Sequence, residues 1–457
     1  MSLGSRFYRQ KGRVTMDENE LMGSMKVSKA VAKMAIPSVI SSLVTVVYNM
    51  ADTFFVGQTG NPLQVAAVSL TNPIFILFMA FANMFGMGGS AAASMALGEK
   101  KEKRVKQVSS FITYASLIVG IVFAAILLVG MQPVLQLFGA DADTYELAKG
   151  YTTYISYGAP FIIWSAAASF VVRADGASRE AMTGSMIGTV ANIILDPIFI
   201  SGFGMGAAGA AIATTIGNIM ASVYYLWYFC RKSRNMSMAF RYFKCGDRIL
   251  SQVCSAGLPT AIFSALMSIS TIILNQILVA YGNAPVAAVG IVFKANMFIT
   301  FLQMGLANGV QPLLGYSYGA GNRERFIAVE RYTKKCCLIV GVLATALFFF
   351  FREPIIHLFI SDTEVINYGV EMLIAYMISG PVIGILFMNM NCMQSTGNAL
   401  PATILSILRQ GVLLIPVLYG LNALLGLHGV IYGQALTDYV AVLLSVVIWR
   451  WKRRKTL

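Results

Sequence analysis

One stretch of the sequence places an amide and a carboxylate inside an otherwise apolar segment. Asn192 and Asp196 are four residues apart, so on a helix their side chains share one face. Pro197 follows and has no N–H, which leaves the carbonyl oxygen of Ile193 without its helical partner. A carboxylate in hydrocarbon costs at least about 2.5–3.5 kcal/mol and therefore indicates a functional site. Three kinds of oxygen in one place indicate a site for a cation or a proton.

The composition predicts which elements surround that site. Hydrophobic residues make up 57% of the 457 residues and charged residues only 12%, whereas soluble domains carry about 25% charged residues. The mean hydropathy is +0.69. We therefore predict an all-α polytopic membrane protein with twelve transmembrane helices. The predicted spans are 36–56, 65–95, 109–131, 151–172, 181–200, 208–229, 255–280, 286–316, 336–352, 371–393, 403–419 and 429–449.

The basic residues indicate the orientation in the membrane. Thirty of the 34 lysines and arginines lie in the two tails and in alternate loops, whereas the opposite loops are acidic. The positive-inside rule then predicts a multi-pass protein of the bacterial plasma membrane with both termini in the cytoplasm. The net charge of +14 follows from this topology, so no nucleic acid partner is expected. The six cysteines form no CxxC pair and the two histidines stand alone, so no metal cluster or other cofactor is predicted.

The sequence contains an internal repeat with a constant offset. Val65-Ala-Ala-Val68 recurs as Val286-Ala-Ala-Val289, and four further anchors keep the same offset: Gly98 and Gly319, Leu137-Phe138 and Leu358-Phe359, Pro160 and Pro381, and Gly176 and Gly397. Each copy holds six spans, which predicts two six-helix lobes related by a pseudo-two-fold axis along the membrane normal. The predicted division is a tail at 1–35, lobes at 36–235 and 236–449, and a basic tail at 450–457. Such lobes favour a cavity between them and alternating access.

Three polar residues of the first lobe fall at a similar depth in the membrane. Asp52, Asp196 and Thr214 each lie about four to six residues from the outer end of their span, at 1.5 Å per residue. Asn49 shares a face with Asp52, and Asn218 shares one with Thr214. The predicted ion-coupling residues are Asp52, Asp196, Asn192, Thr214, Asn49 and Asn218; for Na+ the ligands would be Asp52, Asn192, Asp196 and Thr214. The alternative is that these groups only hold helices together through hydrogen bonds.

The second lobe lacks the carboxylate pair. At the offset of the repeat, Asp52 corresponds to Ile273 and Asp196 corresponds to Val417. Arg409 and Asp438 either form a structural salt bridge between the last two spans or line a cavity. The candidates for a substrate cavity are Tyr48, Asn275, Gln276, Lys294, Gln303, Arg409 and Asp438.

Four segments resemble the multidrug and toxic compound extrusion (MATE) family, and the similarity is closest to its MepA-like bacterial branch. They are Asn49-Met-Ala-Asp-Thr-Phe-Phe-Val-Gly57, Arg173-Ala-Asp-Gly176, Asn192-Ile-Ile-Leu-Asp-Pro197 and Gln311-Pro-Leu-Leu-Gly-Tyr-Ser-Tyr-Gly-Ala320. The resemblance implies a V-shaped pair of six-helix lobes. It also implies export of cationic and amphipathic drugs in exchange for Na+ or H+.

The resemblance further implies roles for particular residues. Two aspartates, an asparagine and a threonine carry the coupling site of members that couple through the first lobe, and they match Asp52, Asp196, Asn192 and Thr214. Members that also use acids in the second lobe differ from this chain, which has Asn275 and Gln276 in its seventh span. The expected partners are cationic or amphipathic drugs and membrane lipids, with one chain acting as a monomer.

Other classes of function remain as alternatives. A lipid-linked oligosaccharide flippase of the same superfamily would need a basic cavity, for which only Lys294 and Arg409 are available. Competition between lipid headgroup analogues and drug would separate the two functions. No phosphate-binding loop and no pairing of nucleophile and base is found, so we do not expect an enzyme. Two unequal lobes suit rocking better than the fixed pore of a channel.

Overall fold

The structure, a computed structural model, describes residues 20–59, 61–360 and 362–456 and shows helices without any strand in these ranges. The first half contains α1 (Val27–Gly57), α2 (Pro62–Gly98), α3 (Glu102–Val129), α4 (Met131–Leu137), α5 (Tyr145–Ala174), α6 (Ser178–Pro197) and α7 (Gly206–Arg231). The second half contains α8 (Ile249–Val279), α9 (Asn283–Gly319), α10 (Arg323–Phe350), α11 (Arg352–His357), α12 (Thr363–Ile378), α13 (Gly380–Ser395), α14 (Ala399–Ile407), α15 (Leu414–Leu425) and α16 (Leu427–Thr456).

The predicted twelve-span fold is confirmed. Eleven helical segments are long and apolar enough to cross a membrane, and the pair α12 and α13, bent by 45°, forms the twelfth span. Helices α14 and α15 form one span through a π-helical segment between them. Several helices extend past the predicted spans, because polar residues continue a helix beyond the bilayer. Thus residues 27–35 and 450–456 of the predicted tails are helical, whereas residues 1–19 and 457 lie outside the described ranges.

Glycines allow the two halves of the chain to meet backbone to backbone. Where α2 crosses α8, a Cβ atom on Gly88 would collide with the carbonyl oxygen of Val253, and one on Gly257 would collide with that of Met84. A neighbouring crossing joins α1 to α9, where a Cβ on Gly305 would come within 2.9 Å of the Val39 Cα. Small residues are required where membrane helices approach this closely.

The contact between α2 and α9 repeats itself across a pseudo-two-fold axis. A Cβ on Gly98 would collide with the carbonyl oxygen of Tyr316, and a Cβ on Gly319 would collide with that of Met95. Gly98 and Gly319 are equivalent positions of the repeat, and so are Met95 and Tyr316, because the same offset separates both pairs. Such a reciprocal contact is expected at a two-fold axis that relates the halves of a repeated transporter fold. The offset read from the sequence therefore describes a real symmetry of the molecule.

Both described ends of the chain contact α10, so they lie at one end of the bundle. The Arg325 guanidinium donates three hydrogen bonds of 2.8–3.0 Å to backbone carbonyls of the segment 21–25. The buried carboxylate of Glu330 accepts from Arg453 at 3.3 Å and from the Trp449 indole at 2.7 Å. We call this end, with loops 99–101 and 320–322, the basic end.

A buried carboxylate at the basic end holds the segment that connects the two halves. Asp175, in the turn between α5 and α6, accepts hydrogen bonds from Tyr228 (2.8 Å), Ser233 (2.6 Å) and Asn235 (2.9 Å). Burial raises the pKa of Asp175, and these three donors offset part of that effect because they stabilise the carboxylate. The beginning of the connecting segment 232–248 is thus fixed to the first half of the chain.

We predict that Gly257→Ala destabilises the protein, because the new methyl group would occupy the space of the Met84 carbonyl oxygen. Overpacking of this kind costs about 1–3 kcal/mol or more. Gly290→Ala on α9 is the matched control, since nothing lies within 4 Å of its Cβ position. Alanine should be neutral or stabilising there, by up to about 1 kcal/mol. Thermal unfolding of the purified protein measures both, and equal melting temperatures would contradict the proposed close contact.

Candidate functional sites

A close helix crossing positions the polar residues of the first half. A Cβ on Gly188 of α6 would lie 2.8 Å from the carbonyl oxygen of Gly217 of α7, and one on Gly217 would lie 2.6 Å from that of Gly188. Because the two helices are antiparallel, the residue one turn after Gly188 on α6 faces the residue one turn before Gly217 on α7. That geometry places Asn192 directly against Thr214.

Asn192, Asp196 and Thr214 form one buried network, and each is at most 4% exposed. The Asn192 amide adopts the orientation in which both of its atoms find partners: Nδ2 donates to Asp196 Oδ2 at 2.9 Å. Its oxygen accepts from the Thr214 backbone N–H at 2.9 Å and from Oγ1 at 3.1 Å. The prediction that these three residues meet is confirmed by these distances, while their role in coupling stays a prediction.

Tyr48, a predicted residue of the substrate cavity, lies beside this network. Its hydroxyl lies 3.3 Å from Thr214 Oγ1. The hydroxyl also interacts electrostatically with Asp52 and Asp196. This contact was not predicted, because an aromatic side chain carries no sequence signal for which neighbour its hydroxyl will reach.

The remaining predicted coupling residues lie around the same network. The half-buried Asp52 interacts electrostatically with Asp196, and Asn49 is half-buried on the preceding turn of α1. Asn218 donates to the Thr214 carbonyl at 2.8 Å and accepts from Ser165 at 2.9 Å. Asn218 therefore supports the helix that carries Thr214 without a described contact to either carboxylate.

Tyr151 of α5 is a residue of this site that the sequence analysis missed. Its hydroxyl interacts electrostatically with both Asp52 and Asp196. Its ring packs against the cluster of Val56 and Ile200. No signal in the sequence separates it from Tyr154 and Tyr157 on the same helix, because only the packing of α5 against its neighbours decides which tyrosine faces inwards.

The helix that carries Asp196 changes its pitch at the site. Pro197 ends the regular turns of α6, and residues Ile198–Gly202 form a π-helical segment. Proline interrupts the hydrogen bonds of the preceding turn, and π-helical turns occur often at functional sites. The structure thus confirms the predicted interruption of the helix next to the Asp196 carboxylate.

One oxygen of the site has no partner. Asp196 is 0% exposed, and its Oδ1 is buried without a hydrogen bond, although Oδ2 is paired with Asn192. A buried carboxylate oxygen without a donor is costly, and a proton or a hard cation would remove that cost. Among the described residues no group of three or more His, Cys, Asp or Glu side chains could share a metal ion. The oxygen-bearing side chains grouped here are those of Asp52, Asp196, Asn192 and Thr214, with the Tyr48 hydroxyl beside Thr214.

The second half contains a buried ion pair, and it lines a cavity. Arg409 Nε donates to Asp438 Oδ1 at 2.8 Å, with side-chain exposures of 8% and 5%. Asp438 also accepts from Ser379, at the bend between α12 and α13, and from Gln434. The structure shows both of the features that the sequence left as alternatives. The ion pair connects the tenth, eleventh and twelfth spans. Arg409 also forms part of the wall of a cavity of about 320 Å³.

Two of the predicted substrate-cavity residues do not line this cavity within the second half. Gln303 is 0% exposed and donates to the backbone carbonyls of Cys337 and Gly380, in a space left by Gly341 and Gly384. Gln276 is exposed on the side of α8 that carries the exposed Ile272, roughly opposite the cavity-lining Leu274. Helix packing therefore uses one glutamine as an internal donor and turns the other to the outside.

Asn275 and Lys294 are the other two candidates for the substrate cavity. Asn275 lies at the margin of the cavity face of α8, and its Oδ1 is buried without a partner. Lys294 is half-buried on α9 beside the cavity-lining Phe293, and it makes no hydrogen bond or ion pair with another described residue. Both stay candidates for contact with substrate.

Twelve spans in two symmetry-related halves, with polar sites buried inside each half, define a polytopic membrane transporter. The family model described as MatE matches this chain twice, at residues 37–198 and 259–419. The chain belongs to the MatE family, and the resemblance predicted from its motifs is confirmed. The two matches also confirm the internal repeat. Because the family consists of transporters, the prediction that the chain is not an enzyme is confirmed as well.

The relatives are similar over nearly their whole length. The chain is 32% identical to the multidrug export protein MepA of Staphylococcus saprophyticus, over 92% of this chain and 93% of that protein. The MepA of Staphylococcus aureus has the same identity and coverage. These relatives are bacterial, which places a multi-span member of the family in the plasma membrane.

Two solved structures with the same fold are those of MATE transporters. A crystal structure of MATE in the straight conformation has a TM-score of 0.91 and 25% identity, covering 96% of this chain and 98% of that one. An outward-facing conformation of a multidrug resistance MATE family transporter has a TM-score of 0.88 and 25% identity, covering 95% and 97% of the two chains.

We predict that Gln303→Leu lowers stability by about 1–3 kcal/mol, because the buried carbonyls of Cys337 and Gly380 lose their side-chain donor. Gln276→Leu makes the same change on the exposed face of α8 and should leave the melting temperature unchanged or raise it. Thermal unfolding in one detergent compares the pair. A more stable Gln303→Leu variant would show that Gln303 does not hold the helices together.

Proposed function

We propose that the protein is a secondary active multidrug efflux antiporter. It exports cationic and amphipathic small molecules in exchange for inward H+ or Na+ by alternating access. The similarity to proteins named multidrug export proteins, over more than nine-tenths of each chain, supports the export of drugs. The buried carboxylate pair in the first lobe supports the coupling to an ion.

The unpartnered oxygen of Asp196 is the observation that carries the coupling. In the ion-free state a charged Asp196 lacks a donor on Oδ1, and Asp52 adds repulsion between like charges. Entry of a proton or Na+ removes both costs, so the ion stabilises the packing of α1, α6 and α7. Asp196 and Asp52 bind the ion or proton, Asn192 and Thr214 supply further oxygens, and Asn49 and Asn218 support these residues.

The membrane potential sets how many ions are needed. Moving one monovalent cationic drug out against an inside-negative potential costs about 2.3 kcal/mol per 100 mV. One returning H+ or Na+ cancels the charge that moves, and a second makes the exchange electrogenic. Two carboxylates in the site provide enough negative charge for either stoichiometry.

The arrangement of the chain in the membrane completes the proposal. The lobes comprise residues 36–235 and 236–449, and both termini lie in the cytoplasm with the basic end. The contact of Gly98 and Gly319 holds the lobes together at that end, so the coupling ion would enter from the opposite, outer side. One chain contains both lobes and both buried sites, so the transporter acts as a monomer surrounded by membrane lipids.

We expect Asp196→Asn and Asp52→Asn each to lower ion-driven drug efflux by about tenfold or more, because an amide cannot carry the charge that couples ion and drug. Efflux from proteoliposomes under an imposed ion gradient measures this. Asp143→Asn removes an exposed carboxylate of the loop after α4 and serves as the control. Wild-type efflux in both site variants would rule out the assigned coupling site.

The coupling ion follows from two gradients applied separately to the same proteoliposomes. A pH gradient without Na+ should drive drug efflux if Asp196 is protonated in the cycle, and a Na+ gradient at fixed pH should drive it if the oxygens bind Na+. In either case Asp196→Asn should abolish the response. Efflux that needs neither gradient would exclude the antiporter, and competition by lipid headgroup analogues would favour a flippase.

A further inference from the structure

The second lobe contains a cavity of the size of a small-molecule site. Its volume is about 320 Å³, and its wall is formed by helices α8, α9, α12, α15 and α16 and by the π-helical segment between α14 and α15. Sites for small ligands have volumes of about 300–1,000 Å³ and are mostly apolar with a few polar groups. Here the apolar part combines methionine and leucine side chains with four aromatic residues, Phe263, Phe293, Phe301 and Tyr376. A flat aromatic ligand of modest size fits such a wall.

Arg409 is the charged group of this wall, and the rings around it fix its position. Its guanidinium carbon lies 5.3 Å from the ring centre of Phe263 and 5.7 Å from that of Phe387. Arginine is held well between aromatic faces because its cation interacts with their π electrons. A π-helical segment, Leu408–Leu413, carries Arg409 and turns it towards the interior. Such segments are frequent at functional sites.

The hydrogen bonds of the ion pair leave Arg409 with unused donors. A guanidinium has five N–H groups, and the described contacts use only Nε, which donates to Asp438. Nη1 is buried without an acceptor. Asp438, in contrast, also accepts from Ser379 and Gln434, so both of its oxygens are engaged. Arg409 therefore has N–H groups without a described acceptor, whereas both carboxylate oxygens of Asp438 already have donors.

The charge of this cavity differs from that of the first-lobe site. Arg409 and Asp438 cancel each other, so a cationic ligand gains little there, whereas Asp52 and Asp196 make the first-lobe site negative. A carboxylate is the ligand group that matches a guanidinium with free N–H groups, since it can accept two parallel hydrogen bonds. Aromatic rings next to that group would pack against the phenyl groups of the wall.

We propose that this cavity binds aromatic compounds that carry a carboxylate, and that Arg409 recognises the carboxylate. The inference rests on the proposed function and adds anionic aromatic compounds to its substrates. Arg409 is thus a specificity-determining residue of the second lobe. The ion-coupling residues of the first lobe take no part in this recognition.

The test compares two water-soluble fluorescent probes that differ only at the group in question: dansylglycine and dansylglycinamide. Fluorescence titrations use the full-length protein in nanodiscs of a neutral phospholipid, without any ion gradient. The wild type should bind dansylglycine about tenfold more tightly than the amide, which corresponds to about 1.4 kcal/mol. Equal affinities for the two probes would overturn the proposal.

The variants must not leave a buried charge alone, because removing one partner of a buried ion pair is strongly destabilising. Arg409→Gln combined with Asp438→Asn keeps hydrogen-bonding groups of similar size and removes both charges. This double variant should bind both probes alike, and retained preference for dansylglycine would overturn the role of Arg409. Arg409→Lys keeps the charge without the planar fork and should reduce the preference to about threefold or less. If the double variant does not fold, Arg409→Lys alone tests the role of Arg409, and an unchanged preference would overturn it.

The readout separates this inference from the proposed antiport. Binding of the two probes requires no coupling ion, so Asp196→Asn should keep the preference for dansylglycine while it loses ion-driven efflux. Preference without coupled efflux in the wild type would refute the antiport alone. Coupled efflux of a cationic dye without preference in binding would refute the carboxylate site alone.

Discussion

The first lobe is arranged around the buried carboxylate of Asp196. A charged group in hydrocarbon must be paired, protonated or coordinated, and the protein satisfies only one of its two oxygens, through Asn192. The second oxygen has no hydrogen-bond partner among the described residues. The close crossing of α6 and α7 at Gly188 and Gly217, which brings Thr214 to the amide, fixes this incomplete arrangement. The packing of the helices therefore leaves one carboxylate oxygen of Asp196 without a hydrogen bond.

The two lobes use one architecture for different electrostatics. The reciprocal contact of Gly98 and Gly319 shows how closely the halves still obey their symmetry. In the first lobe, the two carboxyl groups of Asp52 and Asp196 lie near each other without an ion-pair partner among the described residues. In the second, a neutral Arg409–Asp438 pair stands beside a cavity. A repeated fold allows this divergence, because the contacts between lobes are made by backbone and glycine, whereas the buried sites are made by side chains inside each lobe.

Some of the site follows from the sequence and some does not. Asn192, Asp196 and Thr214 could be brought together from their spacing and depth, because helical periodicity and rise are the same in every membrane helix. Gln303 and Gln276 show the limit. Both are amides within apolar spans, yet one is an internal donor and the other faces outwards. The rotation of a helix about its own axis depends on its neighbours, and one sequence without those neighbours does not specify it.

The twelve spans, the internal repeat, the family and the depth of the carboxylates could all be obtained from the amino-acid sequence. These properties depend on hydropathy, motif and chain length, which are local and linear. The packed helices were needed to show that Tyr48 and Tyr151 lie near the carboxylates of Asp52 and Asp196 and that Arg409 is held between two phenyl rings next to a cavity. Contacts between helices depend on which residues face each other after packing, and the glycine crossings set that geometry in three dimensions.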